Sequence, residues 1–344
     1  MPVNRMEVLL RAASWLKALI QRGSDDSVAS KGCRKHMSGN EPGGAVDAVM
    51  SGISGDAVLD GLRAEPLLVA KPERQTAPFI FASPHSGRLY PASFGRQSRL
   101  DPVTLRKSED AFVDELFAAI PLLGAPLIAA RFPRAFVDVN RAPGEIDPAM
   151  FDAPLHSAIG PRTPRVAAGL GVIPRIVRDG VEIYGSRLPA REAHFRLEHF
   201  YRPYHTALAK LVAETRALFG IAIVIDCHSM PPPSRGSDIV IGDCYGEAAA
   251  AELIVGAQRA LVEQGFVIAR NTPYAGGYTT NLYGKPDSGL HALQVEISRS
   301  LYLDEGRIEK TPAFVDTKER LTRFAQRLIA GAWGGLARRQ AAAE

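Results

Sequence analysis

Glu296 lies in Gln294-Val295-Glu296-Ile297-Ser298-Arg299, where a charged side chain interrupts a run that otherwise reads as a buried strand. His85, in Phe81-Ala82-Ser83-Pro84-His85-Ser86-Gly87, and His228, in Val224-Ile225-Asp226-Cys227-His228-Ser229, close two further apolar runs. An ionised carboxylate is costly in apolar surroundings unless it is paired, hydrogen-bonded or used chemically. Two imidazoles and a carboxylate at the ends of buried strands are the parts needed to hold a metal ion and activate water. Metallohydrolase chemistry is therefore the leading reading.

Other residues extend this set. Asp226 shares a strand face with His228, two residues on, and can orient its imidazole. Glu109 and Asp110 open a predicted helix, where the dipole favours carboxylates, and Asp110 becomes a metal ligand only if the tertiary fold carries it to His85. Arg134 and Asp138-Val139-Asn140-Arg141 flank another apolar run. Arginine offers a planar fork that fits a carboxylate, and a structural salt bridge is the equal alternative. Gly276-Gly277-Tyr278-Thr279-Thr280 suits close backbone approach to a small ligand. Of the eight histidines, His85, His228 and His291 fall outside the N-terminal region, the central loop and the long helix. Dinucleotide, Walker and Gly-x-Ser-x-Gly patterns are absent from the sequence.

These residues need a scaffold. Buried strands are predicted at 79–82, 126–130, 136–139, 222–225, 238–242, 267–270 and 293–297, and helices at 110–120, 190–219, 247–264 and 312–333. Strands separated by helices imply an α/β fold, with a mixed, largely parallel central sheet covered by helices on both faces. Ligands in such folds sit beyond the carboxyl ends of the strands, where His85 and His228 fall. The Pro-, Gly- and Arg-rich stretch 142–185 reads as a long loop, a length usually functional or mobile. Residues 1–57 read as an extension, an amphipathic helix over Met6–Gln21 followed by a polar, disordered segment, and 58–344 as one metallohydrolase domain.

Bulk composition narrows the classes. The chain of 344 residues carries 41 Lys and Arg against 37 Asp and Glu, a net charge of +4. The cations are scattered, without the basic and aromatic runs of a nucleic-acid surface. Three cysteines are too few for a disulfide scaffold or a Cys-type zinc site, and a cytoplasmic location is expected. Cys227, beside His228, reads as a small core residue. No apolar run reaches the ~20 residues of a membrane helix.

The ordered set of Ser83-Pro84-His85-Ser86-Gly87, Glu109-Asp110, Arg134 with Asp138-Val139-Asn140-Arg141, Tyr204-His205, Asp226-Cys227-His228-Ser229, Gly276-Gly277-Tyr278 and Gly289 to Glu296 resembles the N-formylglutamate amidohydrolase family. The resemblance runs from about Pro78 to Asp304. That family is in turn similar to the zinc carboxypeptidase and aspartoacylase group. The resemblance implies one zinc ion per chain, a zinc-carboxypeptidase-like sheet, a small N-acyl amino acid substrate and a place in histidine breakdown. It implies His85 and His228 as metal ligands, Glu296 as the carboxylate that works on water, Arg134 as the group polarising the scissile carbonyl, and Asn140 with Arg141 as a substrate-carboxylate clamp. Gly277, Tyr278 and His291 are further candidates for substrate contacts. The wider group places a Glu ligand three residues after the first histidine, where this chain has Arg88. Another carboxylate must substitute, and Asp110 is the best placed. The implied reaction is cleavage of N-formyl-L-glutamate to formate and glutamate. Deacylation of another N-acyl amino acid, carboxypeptidase activity, and a non-catalytic binding protein of the same fold are the alternatives.

Overall fold

Most of the apolar runs pair into one seven-stranded sheet whose strands, numbered along the chain, lie in the order 1-3-2-4-7-5-6. The computed structural model describes residues 55–155, 159–177, 180–233 and 236–336; the expected Met6–Gln21 helix and nearly all of the expected extension lie outside them. The residues from Val58 to Glu344 form one unit. Its strands are β1 (Leu67–Ala70), β2 (Phe79–Ser83), β3 (Leu127–Ala130), β4 (Ala222–Met230), β5 (Ile239–Gly242), β6 (Ile268–Arg270) and β7 (Leu290–Ser298). Strands β3, β2, β4 and β7 run parallel, β1 joins antiparallel at one edge, and β5 turns antiparallel to β7 before β6 joins it in parallel. The sheet is thus mixed and largely parallel.

Every residue of β2 and β4 is buried, so both faces of the central strands are covered. Parallel strands read as continuous apolar runs for this reason. The helices that matter here are α1 (Val113–Leu116), α2 (Arg202–Phe219), α3 (Ala251–Val262), α4 (Tyr278–Tyr283) and α5 (Phe314–Ile329). Helix α2 packs on β2 and β4, and α5 lies against α3 and α1. The short helix Ala190–Arg196 leads through a π turn, Leu197–Tyr201, into α2, so the expected 190–219 helix is continuous but changes its hydrogen-bonding period midway.

Two expectations fail instructively. The 110–120 helix contracts to α1 and a 3₁₀ turn at Ile120–Leu123, because Phe112 takes a left-handed φ of 63° and breaks the ladder before it starts. The run 136–139 is buried but is not a strand. Phe136 packs its ring on Phe94 and Phe200 at 5.2 Å, and the backbone is satisfied from outside any sheet. Arg196 Nη1 donates to Phe136 O at 3.2 Å, His205 Nε2 to Val139 O at 2.9 Å, and Asp138 N to Val172 O at 2.9 Å. An apolar run reports burial, and only the backbone partners decide whether it is a strand.

Gly87 sets how close the loop after β2 can come to the segment after β3. A Cβ there would meet Phe132 O at 2.1 Å and Arg131 C at 2.6 Å, both backbone atoms that cannot swing aside. Gly87→Ala is expected to destabilise the protein by about 1–3 kcal/mol, the usual cost of overpacking, read as a lowered midpoint in denaturant unfolding.

Candidate active site

Strands β2, β4 and β7 are parallel neighbours, so their carboxyl ends open on the same side of the sheet. Along the register of β4 and β7, Asp226 faces Gln294 and His228 faces Glu296. With a side-chain period of two, these four polar residues share one face at the strand ends. Cys227 points the other way, into the core, and burial followed by the charge of Asp226 pushes its thiol well above the usual range. Gln294 Nε2 donates to Glu296 Oε1 at 2.7 Å.

His85 comes from the loop after β2, and Asp110 is tied to it through the backbone: Asp110 N donates to His85 O at 2.9 Å. Asp110 Oδ2 then stands 3.3 Å from His85 Nδ1 and 2.9 Å from His228 Nδ1. One ligand atom from each of His85, Asp110 and His228 lies within 4.8 Å of the others, and all three residues are buried. The far nitrogen of each ring meets another carboxylate. His85 Nε2 donates to Asp138 Oδ1 at 2.7 Å, and His228 Nε2 is 2.9 Å from Asp226 Oδ2.

This donor set fits a divalent cation. Metal-bound imidazoles commonly lean on a carboxylate through their other nitrogen, as both do here. The proton donated by His85 Nε2 leaves Nδ1 with its lone pair, and that buried atom has no hydrogen-bond partner. Burial would raise the Asp110 carboxyl, but the hydrogen bond from His228 and the proximity of both imidazoles hold it well below the usual range. Burial likewise opposes charge on His228, yet Asp226 and Asp110 push its pKa well above the ordinary imidazole value. The pocket is built to hold positive charge.

Glu296 is different. Burial pushes its carboxyl up to about 7; Asp110 and Asp226 add to the rise, and His228 and Arg134 oppose it. A carboxyl near neutrality can both take and return a proton. It opens on a cavity of about 970 Å³ that also meets His85, Asp110, His228, Arg134, Arg141, Asn140, Gly277 and Tyr274.

The sequence profile of the N-formylglutamate amidohydrolase family matches residues 77–303, a span that contains every residue of this cluster. The chain belongs to that family. An N-formylglutamate deformylase of Pseudomonas aeruginosa is 28% identical over 243 residues, covering 68% of this chain and 85% of the relative. One from Pseudomonas putida is 29% identical over 238 residues, covering 66% and 82%. A crystal structure of an N-formylglutamate amidohydrolase from Ralstonia eutropha superposes with a TM-score of 0.73 at 34% identity, over 80% of this chain and 99% of that one. As a member of the N-formylglutamate amidohydrolase family, the protein is a hydrolase of amide bonds.

The fold gathers most of the residues singled out from sequence around this cavity and places others away from it. Arg134 commits Nε to Asp138 Oδ2 at 3.0 Å, and Arg141 donates from Nε to Leu170 O at 3.1 Å and from Nη1 to Asn140 O at 3.0 Å; each keeps a further nitrogen with no hydrogen-bond acceptor among the described residues. Asn140 is more occupied than a clamp should be. Its Nδ2 donates to Asp226 Oδ2 at 3.3 Å and its Oδ1 accepts from Thr279 N at 2.7 Å. Gly277 lines the cavity, but the close approach it permits is to Asn140: a Cβ there would lie 2.4 Å from Asn140 Nδ2. Tyr278 does not line the cavity; its ring meets His205 edge-on at 5.7 Å. His291 is placed at the opposite end of β7, paired in register with Ile223, where its Nδ1 accepts from Ala250 N at 3.3 Å. It does not reach the site. Arg88, three residues after His85, pairs with Asp114 at 3.3 Å and Glu115 at 3.1 Å.

Sequence reasoning did not assign Asp138 to His85, nor find Gln294, Tyr274, Ser229 or Arg299. A signal existed for Arg299, a charge directly following a buried strand. Asp138→Asn keeps the side chain's size but removes its charge from His85 Nε2. It is expected to weaken divalent-cation binding about 10–100-fold, measured by competition against a chelator.

Proposed function

We propose that the protein hydrolyses the formamide of N-formyl-L-glutamate to formate and L-glutamate, using one zinc ion held by His85, Asp110 and His228. The observation that carries this reading is the convergence of those three donors beside the buried carboxyl of Glu296. A zinc ion in such a set polarises a carbonyl and brings the pKa of water toward ~7.

The chain's own residues supply the rest. Glu296 accepts the proton of the water that attacks the formyl carbon, and returns it to the departing amine nitrogen. A carboxyl that burial raises above the usual range suits both transfers. Arg134, steadied by Asp138, presents its terminal nitrogens to the negative charge growing on the formyl oxygen. Arg141, held by Leu170 O and Asn140 O, has Nη2 left for a substrate carboxylate. Asn140 ties Asp226 to the start of α4 through Thr279 N rather than gripping substrate. Residues 58–344 carry all these groups and form the catalytic domain in this reading. A cytoplasmic enzyme of amino-acid catabolism, serving histidine degradation, fits it; no described helix is long and apolar enough to cross a membrane.

The volume of the cavity, about 970 Å³, favours a second reading in which a bulkier N-acyl amino acid or a peptide C-terminus is cleaved by the same machinery. Formate release from N-formyl-L-glutamate, compared with hydrolysis of N-acetyl and N-succinyl amino acids, decides between them; faster turnover of the larger acyl groups would sink the deformylase assignment.

Two further outcomes are expected. Glu296→Gln lowers kcat by roughly 10²–10⁴ while zinc content measured on the purified protein stays at one per chain. Chelator treatment abolishes turnover, and one equivalent of zinc restores it; full activity in metal-free protein refutes the zinc mechanism.

A further inference from the structure

Arg299 lies in the same cavity as Glu296 and Arg134, yet it is only 5% exposed. A guanidinium has five N–H donors, and all five have acceptors here. Nε donates to Ser229 Oγ at 3.1 Å, Nη1 to Lys107 O and Glu305 Oε2, both at 3.4 Å, and Nη2 to Glu109 O at 2.6 Å and Asp110 Oδ1 at 3.2 Å. Nothing remains for a substrate carboxylate. Arg134, by contrast, commits only Nε among the described residues.

The two oxygens of Asp110 are treated differently. Oδ1 takes Arg299 Nη2 and, at 3.4 Å, the hydroxyl of Ser229. Oδ2 alone faces His85 and His228. The Ser229 hydroxyl donates to Asp110 while it accepts from Arg299, so the three side chains form a closed ring of hydrogen bonds. The same guanidinium grips Glu109 O and so also fixes the backbone just ahead of the carboxylate.

We propose that Arg299, with Ser229, is a positioning residue that makes Asp110 a one-oxygen metal ligand and aims its free oxygen at the meeting point of the two imidazoles. This rests on the reading of the cluster as a metal centre. A carboxylate whose second oxygen is held by a cation cannot swing to bind through both, so a coordination position stays open for water or substrate. The pairing also offsets one of the buried negative charges around the site, at a place where an unpaired charge is costly.

The test uses the full-length protein loaded with zinc or cobalt(II) alone. Arg299→Gln is expected to lower zinc affinity about 10–100-fold in competition with a chelator. It is also expected to weaken the visible absorption of the cobalt form, because a released Oδ1 raises the coordination number. Arg299→Lys keeps the charge but not the fork, and is expected to recover only part of both losses. Ser229→Ala shifts both readings the same way by a smaller factor, with wild-type circular dichroism. A folded Arg299→Gln with unchanged zinc affinity and cobalt spectrum overturns the proposal; if that variant does not fold, unchanged readings in Ser229→Ala overturn it. A wild-type protein that binds neither metal overturns the metal centre itself, which separates the two failures.

Discussion

The carboxylate of Asp110 is a buried negative charge at the wall of the cavity, and the geometry of the site follows from how that charge is compensated. Both imidazoles turn their Nδ1 atoms toward it, and a guanidinium takes its other side. Removing one of these partners leaves the buried charge less well compensated, and a buried charge stripped of its partners typically costs several kcal/mol. The same demand propagates outward. Each imidazole drawn to Asp110 exposes its far nitrogen, which is met by Asp138 or Asp226, and Asp138 in turn holds Arg134. Carboxylates alternate with imidazoles and guanidinium groups across the cluster, which is why it tolerates burial.

The sheet makes this arrangement possible by confining polarity to its rim. In β4, Ile223, Val224 and Ile225 lie within the sheet while Asp226, His228 and Ser229 emerge at its carboxyl end. Strand β7 repeats the pattern with Gln294 and Glu296. Parallel pairing is essential here: it sets His228 opposite Glu296, so that carboxyl stands next to the cluster of His85, Asp110 and His228 without a loop to hold it. A site on strands is held more rigidly than one on loops.

Legibility in the sequence tracked this division. His85, His228 and Glu296 were readable because each interrupts or ends an apolar run, and a polar residue at a strand end has few reasons to be there. Asp226 was readable from strand periodicity alone. Asp110 depended on a single backbone hydrogen bond to His85, which no local pattern announces. His291 misled because its strand is right and its end is wrong. The run at 136–139 misled because its apolar residues bury without joining the sheet. Arg299 escaped because its role lies in contacts with residues 107, 109, 110 and 229, distant in the chain.

The segment from Arg131 to Arg141 supplies Arg134, Asp138, Asn140 and Arg141, yet it has no regular secondary structure. Its backbone hangs partly on Arg196, which reaches Phe136 O, and on His205, which reaches Val139 O, neither of which lines the cavity. The same segment carries Asp138, which binds both His85 and Arg134. A change at either remote anchor is therefore transmitted to an imidazole and to a guanidinium together, so the tuning of one group in this cluster cannot drift without the other.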